Sequence, residues 1–362
     1  MPLLVAVLSL LGARELPGQA VPRTDTPRAG TLRVTFEPVI TTWEREFTDS
    51  GKQQRVGASL PTIVSVRAER RVTPLGLDFG ITNRIAVGVR VPLVRLNTRE
   101  SFPQDSTGAP ADSAGARALD LLLQDTTYAF GPITGTPRHL RYFAGDVELE
   151  GKYRFLESHS FALSGALVVR LPTGHQDSPN RLFDLSTGDH QTDIEIRIAQ
   201  EVTLLNRFWL NAAVRLGRQQ PGTRERRVGP QFTLLIPRAA LAKLAWDPGD
   251  YAAIDIAPMY RFSRSFGVGF TAGYYTQTRD RYSYRSAQDS IDVATRLGAP
   301  VPAAVLDAGT GQRWARLGAV MTYVTPDVEG SFSIEQTVSA AGGLVPVATV
   351  LRVVMRTSRW PF

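Results

Sequence analysis

Between Asp146 and Phe155 every second residue is ionisable: Asp146, Glu148, Glu150, Lys152 and Arg154 alternate with Val147, Leu149, Gly151, Tyr153 and Phe155. A period of two marks a strand, because successive side chains point to opposite faces. Five charges on one face cannot form a packed core, where each unpaired charge costs several kcal/mol. The face must meet water or countercharges. The solvated side of a soluble sheet meets that condition, and so does the wet lumen of a barrel, so the other strands have to decide.

They repeat the pattern. Ile85, Val87, Val89, Val91 and Leu93 share one face opposite Ala86, Gly88 and Arg90. Phe161, Leu163, Leu167, Val169 and Leu171 lie opposite Ser164, Ala166 and Arg170. Further charges recur singly on the less apolar face, at Glu195, Arg197, Arg215, Arg316, Glu335, Arg352 and Arg356. Together with Arg90, Asp146, Glu148, Glu150, Lys152 and Arg154 they are the expected lumen-lining residues of a barrel whose apolar face meets lipid.

Alternation yields about twelve strands. They are expected near 31–46, then a second strand running to 82 (with a candidate break at Pro74), and near 85–96, 146–155, 161–171, 192–204, 208–217, 252–262, 266–277, 313–324, 331–339 and 345–357. Short turns such as Glu157-Ser158-His159 and Ser263-Arg264-Ser265 join some neighbours, whereas 97–144, 173–191, 218–250 and 283–311 are long and rich in Pro, Gly, Asp, Ser and Thr. Short turns at one end and long loops at the other are the layout of an outer-membrane barrel, with the short turns periplasmic. An even strand count leaves no open edge, which lipid could not hydrogen-bond. The fold class is therefore all-β: one transmembrane antiparallel β-barrel with short periplasmic turns and long extracellular loops. A dozen aromatics near strand ends, among them Tyr153, Phe155, Phe208, Trp209, Phe266, Tyr274, Tyr275, Trp314 and Tyr323, are expected in the girdles at the membrane interfaces.

The termini fit this placement. Residues 1–20 read as a signal peptide, apolar from Pro2 to Ala13 and ending in Gly18-Gln19-Ala20, although no Lys or Arg precedes Arg14. Residues 21–30 are expected as a periplasmic segment and 31–362 as the barrel. The final strand ends in Trp360 and Phe362, an aromatic terminus resembling the assembly signal that bacterial outer-membrane proteins present to the barrel-assembly machinery. Outer-membrane lipid is the other expected partner.

Composition removes several alternatives. There are no cysteines, so disulfides, thiol catalysis and Cys-ligated zinc are excluded. The net charge of +7 does not point to nucleic acid, because the basic residues are scattered Arg, and only Lys52, Lys152 and Lys243 are lysines.

Three stretches carry a resemblance: 75–92 (LGLDFGITNRIAVGVRVP), 145–154 (GDVELEGKYR) and Leu171-Pro172-Thr173-Gly174. Their order resembles the outer-membrane "MetA-pathway of phenol degradation" family. That resemblance implies a barrel that handles hydrophobic or aromatic compounds, with no catalytic residues to transfer. Loop 97–144 is longer than the family's pattern, and 188–193 (GDHQTD) departs from it.

No chemistry competes strongly. A barrel lipase needs a Ser-His pair on neighbouring strands, but His139, His175 and His190 fall in long loops and His159 in a short turn. Asp177, Asp184, Asp189 and Asp193 share one loop without an EF-hand spacing, so loop acidity is favoured over calcium. No cofactor or metal site is expected. Ser113–Gln124 and 289–297 carry helical patterns that serve as a lid or as loop-stabilising helices. The expected function is passive transport or binding of small hydrophobic or aromatic molecules in the bacterial outer membrane, without enzymatic activity. A surface-interaction barrel or an outer-membrane lipase are the alternatives.

Overall fold

The structure, a computed structural model, describes residues 21–131, 142–204, 207–229, 233–263, 265–325 and 328–357. The expected signal peptide, the aromatic pair Trp360 and Phe362, and His139 lie outside the described residues.

Twelve strand positions close into an antiparallel barrel. The first, β1, is made of Leu32–Phe36 and Val39–Trp43. It is followed by β2 (Ser65–Gly80), β3 (Ile85–Ser101), β4 (Glu148–Glu157), β5 (Phe161–Arg170), β6 (Asp193–Leu204) and β7 (Phe208–Gln219). The wall continues through β8 (Tyr251–Arg261), β9 (Phe266–Gln277), β10 (Arg313–Val324), β11 (Val328–Ala341) and β12 (Thr349–Thr357). Each strand pairs with its neighbours in sequence, and β12 closes on β1, with Phe36 opposite Met355 and Ile40 opposite Leu351.

Prolines interrupt the ladder without breaking the wall. The register is the same on both sides of Pro38, with Phe36 opposite Leu75 and Val39 opposite Val72. The gap marks only the missing N–H of Pro38. Pro74 does not end β2, contrary to the expected break. Its carbonyl accepts from Glu37 N at 3.2 Å, and its own absent N–H faces the place where β1 is already interrupted.

Alternation sorts lipid from lumen. On β6, Ile194, Ile196 and Ile198 are 40%, 51% and 48% exposed, whereas Asp193, Glu195 and Arg197 are at most 5% exposed. Exposed isoleucines beside buried charges invert the order of a soluble protein, and a bilayer outside resolves the inversion. The expected aromatic girdle needs correction at Trp209, Tyr275 and Trp314. Trp209 and Tyr275 are buried on the inward face, while their neighbours Phe208 and Tyr274 are exposed. Adjacent strand residues cannot share a face, so one of each pair must turn inward.

The long-loop end carries its own structure. A rim sheet joins Arg45–Phe47, Gln53–Arg55 and Val345–Pro346. Arg45 and Val345 were expected to continue the first and last barrel strands; instead the chain peels away there, and Val345 is buried against Phe47 and Ala340. A second sheet pairs Gly222–Arg227, Leu241–Asp247 and Arg281–Tyr284. Helix α1 (Ser113–Gln124) is capped by Asp112, whose carboxylate accepts from Gly115 N at 2.9 Å. It buries Ala116, Leu119 and Leu123 with Leu182, Phe183 and Leu185 against inward residues of β2 and β3. Helix α2 (Ala287–Leu297) is capped by Ser286 and stopped by Gly298 at φ 72°, and it packs Val293 on the second sheet.

Candidate transport lumen

Two charge networks line the barrel and adjoin where Arg197 of β6 stands opposite Arg215 of β7. On the first wall Arg170 donates to Glu148 at 2.8 Å and to Asp193 at 2.9 Å, and Arg197 donates to Glu150 at 3.1 Å. Arg90 approaches Glu148 at 3.4 Å. Glu195 accepts from both Arg197 and the Tyr251 hydroxyl. Strand parity places these side chains, and register brings them level: Glu148 lies opposite Arg170, which lies opposite Asp193. Removing one member of such a buried set leaves an uncompensated charge, at about 3–5 kcal/mol.

On the second wall Arg215 donates to Asp255 at 2.9 and 3.1 Å. Arg352 lies 3.7 Å from Glu335 and 3.9 Å from Glu37. Arg316 differs from both. Its Nε donates weakly to Thr337 at 3.4 Å, and its buried Nη1 has no hydrogen-bond partner among the described residues. Its guanidinium lies 4.5 Å from the centre of the Trp314 ring. Trp314 stacks on Tyr275 at 5.0 Å, and Tyr275 stacks on Tyr251 at 5.6 Å. The three rings form a ladder across β8, β9 and β10 that ends on the partly unpaired Arg316.

Residues 21–30 run inside the barrel at its short-turn end. Arg23 pairs with Glu201 and with Glu329, both at 2.7 Å, and Lys152 donates to the Arg23 carbonyl at 2.5 Å. Arg154 donates to the Thr26 hydroxyl at 2.9 Å, and Arg356 lies 3.9 Å from Glu329. Val21 is buried among Ala199, Trp209 and Met259. Gly80 permits the close passage of this segment, because a Cβ there would stand 2.1 Å from the Arg28 carbonyl oxygen. A cavity of about 60 Å³ remains between segment and wall, bordered by Asp25, Arg90, Glu150, Lys152, Arg197 and Arg356.

Asp146 does not join the wall networks. Its two oxygens accept from Gly174 N at 2.7 Å and Asp189 N at 2.8 Å, pinning the loop between β5 and β6. Asp177 in that loop ties it to the second sheet, accepting from Arg224 at 2.5 Å and Arg226 at 2.6 Å. Burial raises its pKa, but the Arg226 and Arg224 guanidiniums outweigh burial and hold it at about 2. Arg227 donates to Tyr128 O, Ile236 O and Asn180 and lies 3.7 Å from the Phe130 ring centre. His175 and His190 lie in the loop between β5 and β6, and His159 lies in a short turn.

Sequence reasoning passed over Arg23, Glu201, Tyr251 and Asp255 as site residues and read Asp193 as loop acidity, whereas it pairs with Arg170 on the wall. Asp255 was open to inference, standing between Ile254 and Ile256 as the single acid on an alternating strand. Arg23 carries no local periodicity to flag it.

A family profile described as "Putative MetA-pathway of phenol degradation" matches residues 44–315. The COG4313 outer membrane channel from Pseudomonas putida F1 is similar in fold, at 10% identity and a TM-score of 0.58, over 96% of this chain and 100% of that one. The CymD monoaromatic hydrocarbon channel aligns at 10% identity and a TM-score of 0.36, over 92% and 89% of the two chains. The NanC porin aligns at 9% identity and 0.38, over 90% and 100%. The last two scores are too low to bear on this fold. No curated protein matches the chain.

Proposed function

From the premise that this chain belongs to the "MetA-pathway of phenol degradation" family, we propose that it is an outer-membrane channel admitting small aromatic solutes by passive diffusion. The observation that carries this reading is the Tyr251–Tyr275–Trp314 ladder ending on Arg316. A ring with one polar substituent meets both of its needs there. The face or edge of the ring packs on aromatic side chains, and a hydroxyl or carboxylate that reaches Arg316 offers its buried, unpartnered Nη1 an acceptor. A purely aliphatic solute would meet the charges without offsetting their desolvation.

The apolar outward belt and the segregation of short and long connections support placement in an outer membrane. The fold neighbour from Pseudomonas putida is itself an outer membrane channel, which agrees with that placement. This reading assigns the barrel no reaction. The inward charges and the N-terminal segment held by Arg23 support a narrow bore, in keeping with a size between eight-stranded barrels filled by their own side chains and sixteen-stranded open porins.

Single-channel recording tests the proposal. Phenol added on the long-loop side should interrupt the wild-type residual current reversibly, and cyclohexane should not. Current that neither compound alters would refute binding along the bore.

A further inference from the structure

The outward face of the β2–β3 hairpin changes character at one level. On β3 it runs Ile85, Val87, Val89, Val91 and Leu93, and then Arg95, Asn97 and Arg99. On β2 the same face runs from Phe79 through Leu77 and Leu75 to Thr73, Arg71, Glu69 and Arg67. The alternate residues Val66, Ala68, Val72, Val94 and Leu96 are buried in the cluster beneath α1, so the arginines between them point outward.

Register makes the arrangement unusual. Arg71 stands directly opposite Arg95, and Arg67 directly opposite Arg99. Like charges opposite one another on neighbouring strands repel. The acids present compensate only in part. Glu69 lies 2.6 Å from Arg71, and Glu44 lies 3.6 Å from an Arg67 side chain that is 64% exposed. Arg95 lies 6.0 Å from the ring centre of Tyr142, itself 51% exposed, and Arg99 is exposed.

Height locates the patch. Ile85 to Leu93 spans about 27 Å along the strand. At the usual tilt near 40° this is about 20 Å along the membrane normal, close to the apolar band of about 25 Å in such barrels. Arg71 and Arg95 therefore sit at the edge of the hydrocarbon, and Arg67 and Arg99 about 10 Å higher along the normal, among head groups. The two pairs are about 14 Å apart along the strand, within reach of two phosphates carried on one disaccharide head group.

We propose that Arg67, Arg71, Arg95 and Arg99 form an external binding surface for the phosphates of the outer-leaflet glycolipid, a bisphosphorylated, acylated glucosamine disaccharide. The proposal rests on the outer-membrane reading. Anionic head groups attract clustered basic residues at a membrane surface, and the bound phosphates relieve the cross-strand repulsion.

Native mass spectrometry of the detergent-purified barrel tests this, with bisphosphorylated lipid A and its dephosphorylated form as probes. Wild type should retain the phosphorylated form about tenfold more strongly. The variant Arg67→Gln, Arg71→Gln, Arg95→Gln, Arg99→Gln should hold both forms equally. The double variant Arg95→Gln, Arg99→Gln should give an intermediate loss, which decides the matter if the quadruple variant does not fold. Exchanging the exposed Arg218, Lys243, Arg285 and Arg313 for Gln should leave the preference intact. Equal retention of the two lipids by wild type, or an undiminished preference in the arginine variants, overturns the proposal. Phenol interruption of the current, measured on the same double variant, reports the channel reading separately.

Discussion

Arg23 and Glu201 are separated by 178 residues in the chain and by 2.7 Å in the barrel. The same guanidinium reaches Glu329 at 2.7 Å. One side chain on the N-terminal segment thus bridges β6 and β11 across the lumen. Burial of a guanidinium is costly unless it is paired or hydrogen-bonded, so these two glutamates hold residues 21–30 in the short-turn mouth.

Replacing both glutamates, Glu201→Gln with Glu329→Gln, should release the segment. Loss of both partners leaves Arg23 buried and unpaired, at about 3–5 kcal/mol. Larger single-channel current steps than wild type are expected in planar bilayers. Identical steps would show that the segment does not obstruct the bore.

Asp177→Asn should loosen the cap while leaving the wall intact. Asp177 is the shared countercharge of the buried Arg224 and Arg226, so its loss should cost about 3–5 kcal/mol locally. Protease should cut the long loops faster in the variant, with the heat-modifiable gel shift of the barrel unchanged. Equal cutting rates would refute the role assigned to this carboxylate.

The rim sheet should weaken as pH rises. Burial lifts the Glu46 carboxyl from 4.5 to about 7, partly opposed by the hydrogen bond from Gln54. A carboxyl whose folded pKa is raised contributes stability that is fully present below about 4.5 and is lost as pH rises through about 7. The full difference corresponds to about 3 kcal/mol. Because the chain has no cysteines, a spin label at Asp49→Cys reports this site alone. It should be more mobile at pH 8 than at pH 5, and Glu46→Gln should remove the difference. A label equally mobile at both pH values would contradict the assignment.

Trp314→Ala should shorten phenol-induced interruptions of the current several-fold, since an aromatic pair contributes about 0.5–1.5 kcal/mol beyond its area. Phe270→Ala, at an outward position that is 73% exposed, should leave them unchanged. The same dwell time in both variants would remove the ladder from the pathway.

Strand alternation made the barrel legible because it is a local property. Ile194 to Ile198 and Glu148 to Arg154 show their faces without help from any neighbour. Helix α1 was legible for the same reason, its apolar residues recurring at helical spacing within 113–124. What failed was set by contacts distant in sequence. Nothing local separates Val345 from the strand it precedes; its pairing with Phe47 does. The sheet containing Gly222–Arg227 lies in a stretch that reads as loop, and it forms because Trp246 and Tyr282 stack at 6.3 Å and because Asp177 neutralises its arginines. The aromatic ladder depends on the register that places Tyr275 opposite Trp314, and register between strands is not written in either strand alone.

On the proposed function, aromatic solutes pass through this barrel. Small aromatics cross plain phospholipid unaided, so the barrier has to be an outer leaflet of lipopolysaccharide. Passage of phenol into asymmetric vesicles with that leaflet is the direct measurement, with barrel-free vesicles and the Trp314→Ala barrel run in parallel. Faster filling with the wild-type barrel, a saturable rate, and an altered saturation constant in Trp314→Ala are expected. Filling at the barrel-free rate in all three would contradict the proposed function.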